Sequence, residues 1–341
     1  MRPGPTAPHR DTFALVYGLA CPNRCEFCCH DQEEYGRAKT SPAQAIDWIR
    51  QAADIPSIRR VIFTGGEPFL YYKEILEVMT ATRAGGLPVR IVTAAHWAET
   101  EARARELLAP LKEQGLDELS VSTDPTHQEF VPVAFAENAL RAAGELGLVN
   151  EVVGVFWDPK ARVEDHLQVP EGTRLLTRLA APRGRSRERR ITPEDYCLTD
   201  ARLLGCRGYQ RYDFTVYPDG RLYPCCSGGS NIRADLALGN LREEPLAPLV
   251  DRAHADPYTR VVLSLGVAFL YEIAAHRFPE VAAKLPPKDQ FLTCCDLCER
   301  LHGDPELRGL LEPVARHAEK LVDPMIEIAD LRGDRPEVVR G

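Results

Sequence analysis

Cys21, Cys25 and Cys28 stand at C-x3-C-x2-C spacing, directly after an apolar run from Thr12 to Leu19. Thiols so closely spaced ligate metals, and a [4Fe–4S] cluster ordinarily takes four of them. Three thiolates leave one iron open to a small molecule. The alternative is a structural zinc site completed by Cys29 or His30. The eleven cysteines fall in groups: 21, 25, 28 and 29, then 197 and 206, then 225 and 226, then 294, 295 and 298. Such grouping is expected of ligands rather than of packing thiols. Met1 to Arg10 is polar and Pro-rich with no apolar signal segment, so a disulfide framework is not expected. The implied setting is a reducing cytoplasm.

Gly65-Gly66-Glu67-Pro68 lies downstream, and Phe27 directly precedes Cys28. Together with the three thiols this pattern resembles the radical SAM superfamily. The resemblance implies that Cys21, Cys25 and Cys28 hold a [4Fe–4S] cluster whose open iron binds the amino and carboxylate groups of S-adenosylmethionine. Reduction, supplied by a donor such as flavodoxin or ferredoxin, then yields a 5′-deoxyadenosyl radical. The same resemblance implies that Phe27 packs near the adenine. Gly65, Gly66 and Glu67 would hydrogen-bond the methionine ammonium through backbone and carboxylate. Two glycines permit close backbone approach, and Glu67 offers an acceptor for a cation. Ser122 and Asp124 occupy the place where relatives put ribose contacts, and as a strand end they fit a helix N-cap equally well. Gly154, inside a strand pattern, would allow close approach of the adenine or mark a bulge.

A second arrangement follows. Cys206, thirteen residues, Gly220, four residues and Cys225 resemble the start of SPASM and twitch auxiliary-cluster domains, the single-cluster twitch form more than SPASM. That resemblance implies a second [4Fe–4S] cluster on Cys206, Cys225, Cys295 and Cys298, with Cys294 a workable substitute for Cys295. A zinc ribbon-like site from the same four thiols is the alternative. Cys226, next to an implied ligand, is placed to hand a hydrogen atom to a substrate radical, which would make the enzyme an epimerase. Without such a donor, oxidation through the second cluster or cross-linking would follow. Asp124, His127 and Glu129 would hold a polar substrate, or be only a polar loop. Arg183, Arg185, Arg187, Arg189 and Arg190 would meet an anion or form a solvated linker.

These groups need a scaffold. Short β-branched runs at 12–19, 60–64, 88–94, 117–123, 150–157 and 173–180 alternate with helical patterns at 42–53, 72–84, 99–114 and 132–147. Ser41, Pro42 and Gln44 form a capping signature for the first helix. Alternation of this kind gives α/β architecture with parallel strands, here a partial (β/α)6 TIM-like barrel with reactive loops at the C-terminal strand ends. Pro218-Asp219-Gly220 between 213–217 and 221–223 signals a hairpin. Helices are expected at 246–255, 258–283 and 304–331. The expected domains are a barrel at 12–190, a small α+β auxiliary-cluster domain at 196–300, and C-terminal helices at 301–341.

A net charge of −8 does not advertise nucleic acid or an anionic membrane as partner, and the run Val261 to Leu270 is too short to span a bilayer. The segment from Ser122 to Gln128 resembles natural-product enzymes that epimerise or oxidise a sugar or aminoglycoside carbinol. A small polar molecule is therefore the leading expected substrate. A ribosomally made peptide is the alternative, disfavoured because only eleven residues precede the first strand, where many peptide maturases carry a leader-binding module. A non-catalytic zinc protein is the third reading.

Overall fold

Six parallel strands carry the first half of the chain in the computed structural model, which describes residues 11–30, 38–158, 160–180, 184–186, 212–225, 236–287, 291 and 294–332. The strands are β1 (Asp11–Gly18), β2 (Ile58–Gly65), β3 (Val89–Thr93), β4 (Leu116–Ser122), β5 (Val149–Phe156) and β6 (Arg174–Leu179). Helices α1 (Pro42–Ala53), α2 (Tyr72–Thr82) and α3 (Glu101–Glu113) follow β1 to β3 in turn. After β4 come a single turn, α4 (Pro125–Gln128), and then α5 (Val133–Glu145). The capping box at α1 forms as the sequence implies, with Ser41 accepting from the Gln44 amide and Gln44 reaching back. The alternation is incomplete. Only a 3-10 turn, Val163–Asp165, links β5 to β6, because that connection carries no apolar helical period.

Strand alternation sorts the side chains. Phe13, Leu15 and Tyr17 of β1, Val61 and Phe63 of β2, and Leu119 and Val121 of β4 share one buried core with Trp48 and Ile49 of α1 and Val78 and Met79 of α2. Residues between them face the concave side. Toward the N-terminal strand ends that side is ionic. Arg60 bonds Asp117 at 2.8 Å and Glu118 at 2.5 Å, and Arg174 bonds Glu118 at 2.6 Å. Arg90 pairs with Glu118 at 3.1 Å and with Glu151. The Glu118 side chain is fully buried. This layer closes the floor of the half-barrel, so the open end is the one where the loops after β1 to β6 gather.

The hairpin strands β7 (Asp213–Val216) and β8 (Arg221–Tyr223) form, and a short β9 (Gly239–Asn240) follows. They do not stand apart from the barrel. β7 pairs in parallel with β1, giving one sheet in the order β6-β5-β4-β3-β2-β1-β7-β8-β9. β1 would otherwise leave its ladder groups unpaired at a sheet edge. Phe214 and Val216 then continue the helix-facing surface, and Leu246 and Leu249 of α6 (Leu246–Ala255) cover them in the same core.

A second core lies beyond. It joins Tyr258 and Val261 of α7 (Pro257–Leu265), Leu270 of α8 (Val267–Arg277), and Val281 of the single turn α9 (Pro279–Ala282). Leu297 of α10 (Cys294–His302) and Leu311 and Val314 of α11 (Pro305–Arg332) complete it. Residues 212–225 and 236–255 pack with the barrel, and the final helix packs with α7 and α8. The single helix expected over 258–283 is corrected. It breaks at Gly266, whose φ of 88° is left-handed, where the axes turn by 110°, and again before Pro279. No single helix among the described residues is long and apolar enough to cross a membrane.

Candidate active site

The cysteine loop leaves β1 and rests on the turn that ends β2. The Gly66 amide donates to the Gly18 carbonyl at 2.8 Å, and the Glu67 amide to the Ala20 carbonyl at 2.9 Å. A Cβ on Gly66 would lie 2.3 Å from the Ala20 oxygen, and one on Gly65, already at φ +134°, 2.3 Å from the Gly18 oxygen. The two glycines thus serve the close approach of one loop to the other. The Gly66 and Glu67 amides are engaged within the protein.

Glu67 is fully buried, and its carboxylate faces inward. One oxygen accepts from the Phe69 amide at 3.0 Å and the Thr93 hydroxyl at 2.8 Å, the other from the Ala94 amide at 2.9 Å. Thr93 in turn accepts from the Trp97 indole at 3.0 Å, and Trp97 stacks on Phe69 with centroids 3.9 Å apart. The side chain braces the turn through these contacts. Thr93 and Trp97 carried no signal in spacing or motif.

Cys25 is 7 % exposed, and Cys21 and Cys28 are half-buried. Burial pushes the Cys21 thiol up to about 12, with the Asn23 amide pulling the other way. Burial likewise raises Cys28, opposed by the His30 amide and the Arg185 charge. Thiols so placed become thiolates only when a cation joins them. Arg185 clamps the loop, its guanidinium donating to the Cys25 carbonyl at 3.0 Å and its amide to the Cys28 carbonyl at 3.0 Å. Among the described residues no three Cys, His, Asp or Glu side chains converge at metal-binding geometry, so ligation calls on thiol rotamers over a backbone already held. Asn23, 3 % exposed inside the loop, has neither side-chain oxygen nor nitrogen partnered by protein. A buried amide of this kind requires a partner. Three thiols, an orphaned amide and an electropositive clamp suit an iron–sulfur cluster with an open iron and a polar ligand.

At the end of β4, Asp124 is fully buried and accepts three hydrogen bonds. They come from the His127 amide at 3.0 Å, the Val155 amide at 3.0 Å and His127 Nδ1 at 2.7 Å. Asp124 is thus the N-cap of α4, the second of its two sequence readings. The His127 ring also lies against Phe27, centroids 5.4 Å apart. Burial pulls the His127 pKa down, but Asp124 and Cys25 outweigh it and hold it at about 10. Ser122 is half-buried on the concave face, and Glu129 is exposed. At Gly154 the space for a side chain is filled by Val163 and Phe156, a Cβ there meeting their atoms at 2.6 to 2.9 Å.

Of the second group, Cys225 packs against the first core and Cys298 against the second. Cys295 and Cys298 are three apart on α10, hence on one face, and Cys294 is one turn from Cys298. Cys206 and Cys226 lie outside the described residues, as do Arg183, Arg187, Arg189 and Arg190. Tyr217, at the end of β7, is fully buried, with its hydroxyl 3.4 Å from His30 Nδ1. Burial drops the His30 pKa to about 4. With Val16, Leu19 and Tyr223, Tyr217 forms a small core between the first cysteine loop and the hairpin that precedes Cys225.

Comparison with known families places these features. Residues 15–165 match the radical SAM superfamily, and residues 206–261 match the SPASM iron–sulfur cluster-binding domain. The chain thus carries a radical SAM domain and a SPASM-type domain, which imply [4Fe–4S] clusters and S-adenosylmethionine as its cofactors. Among curated proteins it is similar to the putative peptide biosynthesis protein YydG of Bacillus subtilis (strain 168), 23% identical over 227 residues, 64% of this chain and 70% of that one. Among solved structures it resembles native anSMEcpe with bound AdoMet and Cp18Cys peptide, TM-score 0.52 at 13% identity, covering 89% of this chain and 99% of the other. The same enzyme with the Kp18Cys peptide gives TM-score 0.50 at 15% identity, covering 72% and 82%. At such identities these structures speak for the fold.

Proposed function

We propose that this radical SAM enzyme modifies a peptide, removing a carbon-bound hydrogen from one of its residues to give an epimer or a cross-link. The observation that carries this reading is the similarity to YydG over 64% of the chain. The sugar expectation rested on the segment from Ser122 to Gln128. That segment engages Asp124 with His127 and Val155, packs His127 against Phe27, and leaves Glu129 facing outward. It offers little to hold a sugar hydroxyl.

In this reading Cys21, Cys25 and Cys28 ligate the first cluster, and Asn23 and the turn after β2 face S-adenosylmethionine. The cluster and S-adenosylmethionine supply the hydrogen-abstracting radical, given an electron from a flavodoxin- or ferredoxin-like donor. The chain positions the target, excludes water above the ionic floor, and holds Phe27 and Ser122 at the open end. Cys206, Cys225, Cys295 and Cys298 would ligate the auxiliary cluster, and Cys226 would donate the returning hydrogen atom in the epimerase branch.

The test uses anaerobically reconstituted enzyme, S-adenosylmethionine, a reductant, and the peptide encoded by a short reading frame beside this one. Peptide-dependent 5′-deoxyadenosine is expected. In heavy water an epimerised peptide gains one deuteron, whereas a cross-linked one loses two hydrogens. Turnover driven by a sugar or aminoglycoside, with the peptide inert, would overturn the assignment.

A further inference from the structure

We infer that Asn23 binds the amino-acid end of S-adenosylmethionine, its side-chain oxygen accepting from the ammonium and its nitrogen donating to the carboxylate. The residue lies between Cys21 and Cys25 in the loop after β1 and is 3% exposed. Neither Nδ2 nor Oδ1 has a hydrogen-bond partner in the protein. Among the described residues it is the one buried side chain orphaned at both a donor and an acceptor. Such groups are costly to leave unmade, so the missing partner arrives with a ligand. The burial is imposed by a loop held on both flanks. The Glu67 amide bonds the Ala20 carbonyl at 2.9 Å, and Arg185 bonds the Cys25 and Cys28 carbonyls, each at 3.0 Å.

The two orphaned atoms select the ligand. Nδ2 only donates and Oδ1 only accepts. Cluster sulfurs accept and do not donate, so they would satisfy the nitrogen and leave the oxygen bare. An α-amino acid group carries both complements, an ammonium that donates and a carboxylate that accepts. Hydrogen bonds to charged groups of this kind are the stronger ones. The turn after β2 crosses the loop at Ala20, three residues before Asn23, so the carboxamide and that turn both stand beside Cys21. A buried water also donates and accepts, and it is the rival the experiment must separate.

The inference rests on the first loop holding a cluster that binds S-adenosylmethionine and is independent of the peptide assignment. The experiment is equilibrium binding of S-adenosylmethionine, and of its decarboxylated analogue, to the reconstituted, unreduced full-length protein. Asn23→Leu keeps the volume and removes both polar atoms. It should retain iron and weaken binding of S-adenosylmethionine about tenfold, roughly 1.4 kcal/mol. The parent's preference for S-adenosylmethionine over the analogue should narrow in the variant, because only the parent can read the carboxylate; an unchanged preference overturns that contact. Affinity within about twofold of the parent would mean that water fills the place, and would overturn the inference. Loss of iron in Asn23→Leu would assign the side chain to the cluster and overturn it equally. A second measurement excludes a plain structural role. In cluster-free protein Asn23→Leu should unfold at the same denaturant midpoint as the parent or a higher one, since no protein partner is lost. A lower midpoint would show that the carboxamide is partnered within the chain. The parent separates the premise: if it binds no S-adenosylmethionine, the cofactor reading falls and takes the inference with it, whereas a binding parent matched by its variant removes the inference alone.

Discussion

The two groups of cysteines are built in different ways. Cys21, Cys25 and Cys28 share one loop, which the turn after β2 and Arg185 hold by hydrogen bonds. Cys225 belongs to the sheet-and-helix core, while Cys295 and Cys298 sit on a helix of the second core. A local loop gathers its ligands through one strand and its neighbours. A site drawn from two cores exists only while those cores stay docked. The first group should therefore be robust to changes in the second, and the second sensitive to both.

The largest expected effect separates the two. Cys28→Ala should abolish reductive cleavage of S-adenosylmethionine, and unaltered cleavage would refute that ligand. Cys298→Ala should keep cleavage while iron falls from about eight to about four per chain. Equal loss of both properties in both variants would erase the distinction. Next comes the floor beneath the first site. Glu118→Ala leaves Arg60, Arg90 and Arg174 without their shared buried partner, and should cost about 3–5 kcal/mol in denaturant unfolding. A cost below about 1 kcal/mol, the range of exposed pairs, would show that the layer does not stabilise the barrel.

A smaller effect is expected at Gly66. Alanine there forces the Ala20 carbonyl, 2.3 Å from the new Cβ, to move, and the cysteine loop with it. Affinity for S-adenosylmethionine should fall about tenfold, roughly 1.4 kcal/mol, with auxiliary iron unchanged. Unchanged affinity in equilibrium binding would mean that the two loops need not touch so closely.

The smallest belongs to the second core. Burial holds the His302 pKa down at about 3, whereas the unfolded chain protonates near 6.5. Between these values the unfolded state binds more protons, so stability contributed by neutral His302 is present above pH 6.5 and is lost as pH falls toward 3. His302→Leu should flatten that acid limb in pH-dependent unfolding. An identical limb in the variant would assign it to other groups.

Strands, helices and the cap at α1 were legible because period and capping are local properties. The cysteine spacing and the Gly-Gly-Glu-Pro turn were legible as motifs. Contacts between remote segments were not. Nothing in the order of residues says that β7 will seal the edge of β1, or that Glu67 will turn inward to Thr93. The same holds for Asp124, whose helix-capping use was visible from position but whose grip on His127 and Val155 depends on the neighbouring strand. Gly154 reads in sequence as a close approach or a bulge, and the place of its side chain is filled by Val163, from the connection between β5 and β6 that lacks a helix.

The most direct test is to assay 5′-deoxyadenosine formation by oxygen-free protein in which Cys295 and Cys298 are both alanine. The account predicts about four irons per chain and continued reductive cleavage of S-adenosylmethionine. A colourless chain that binds only zinc and releases no 5′-deoxyadenosine would contradict it.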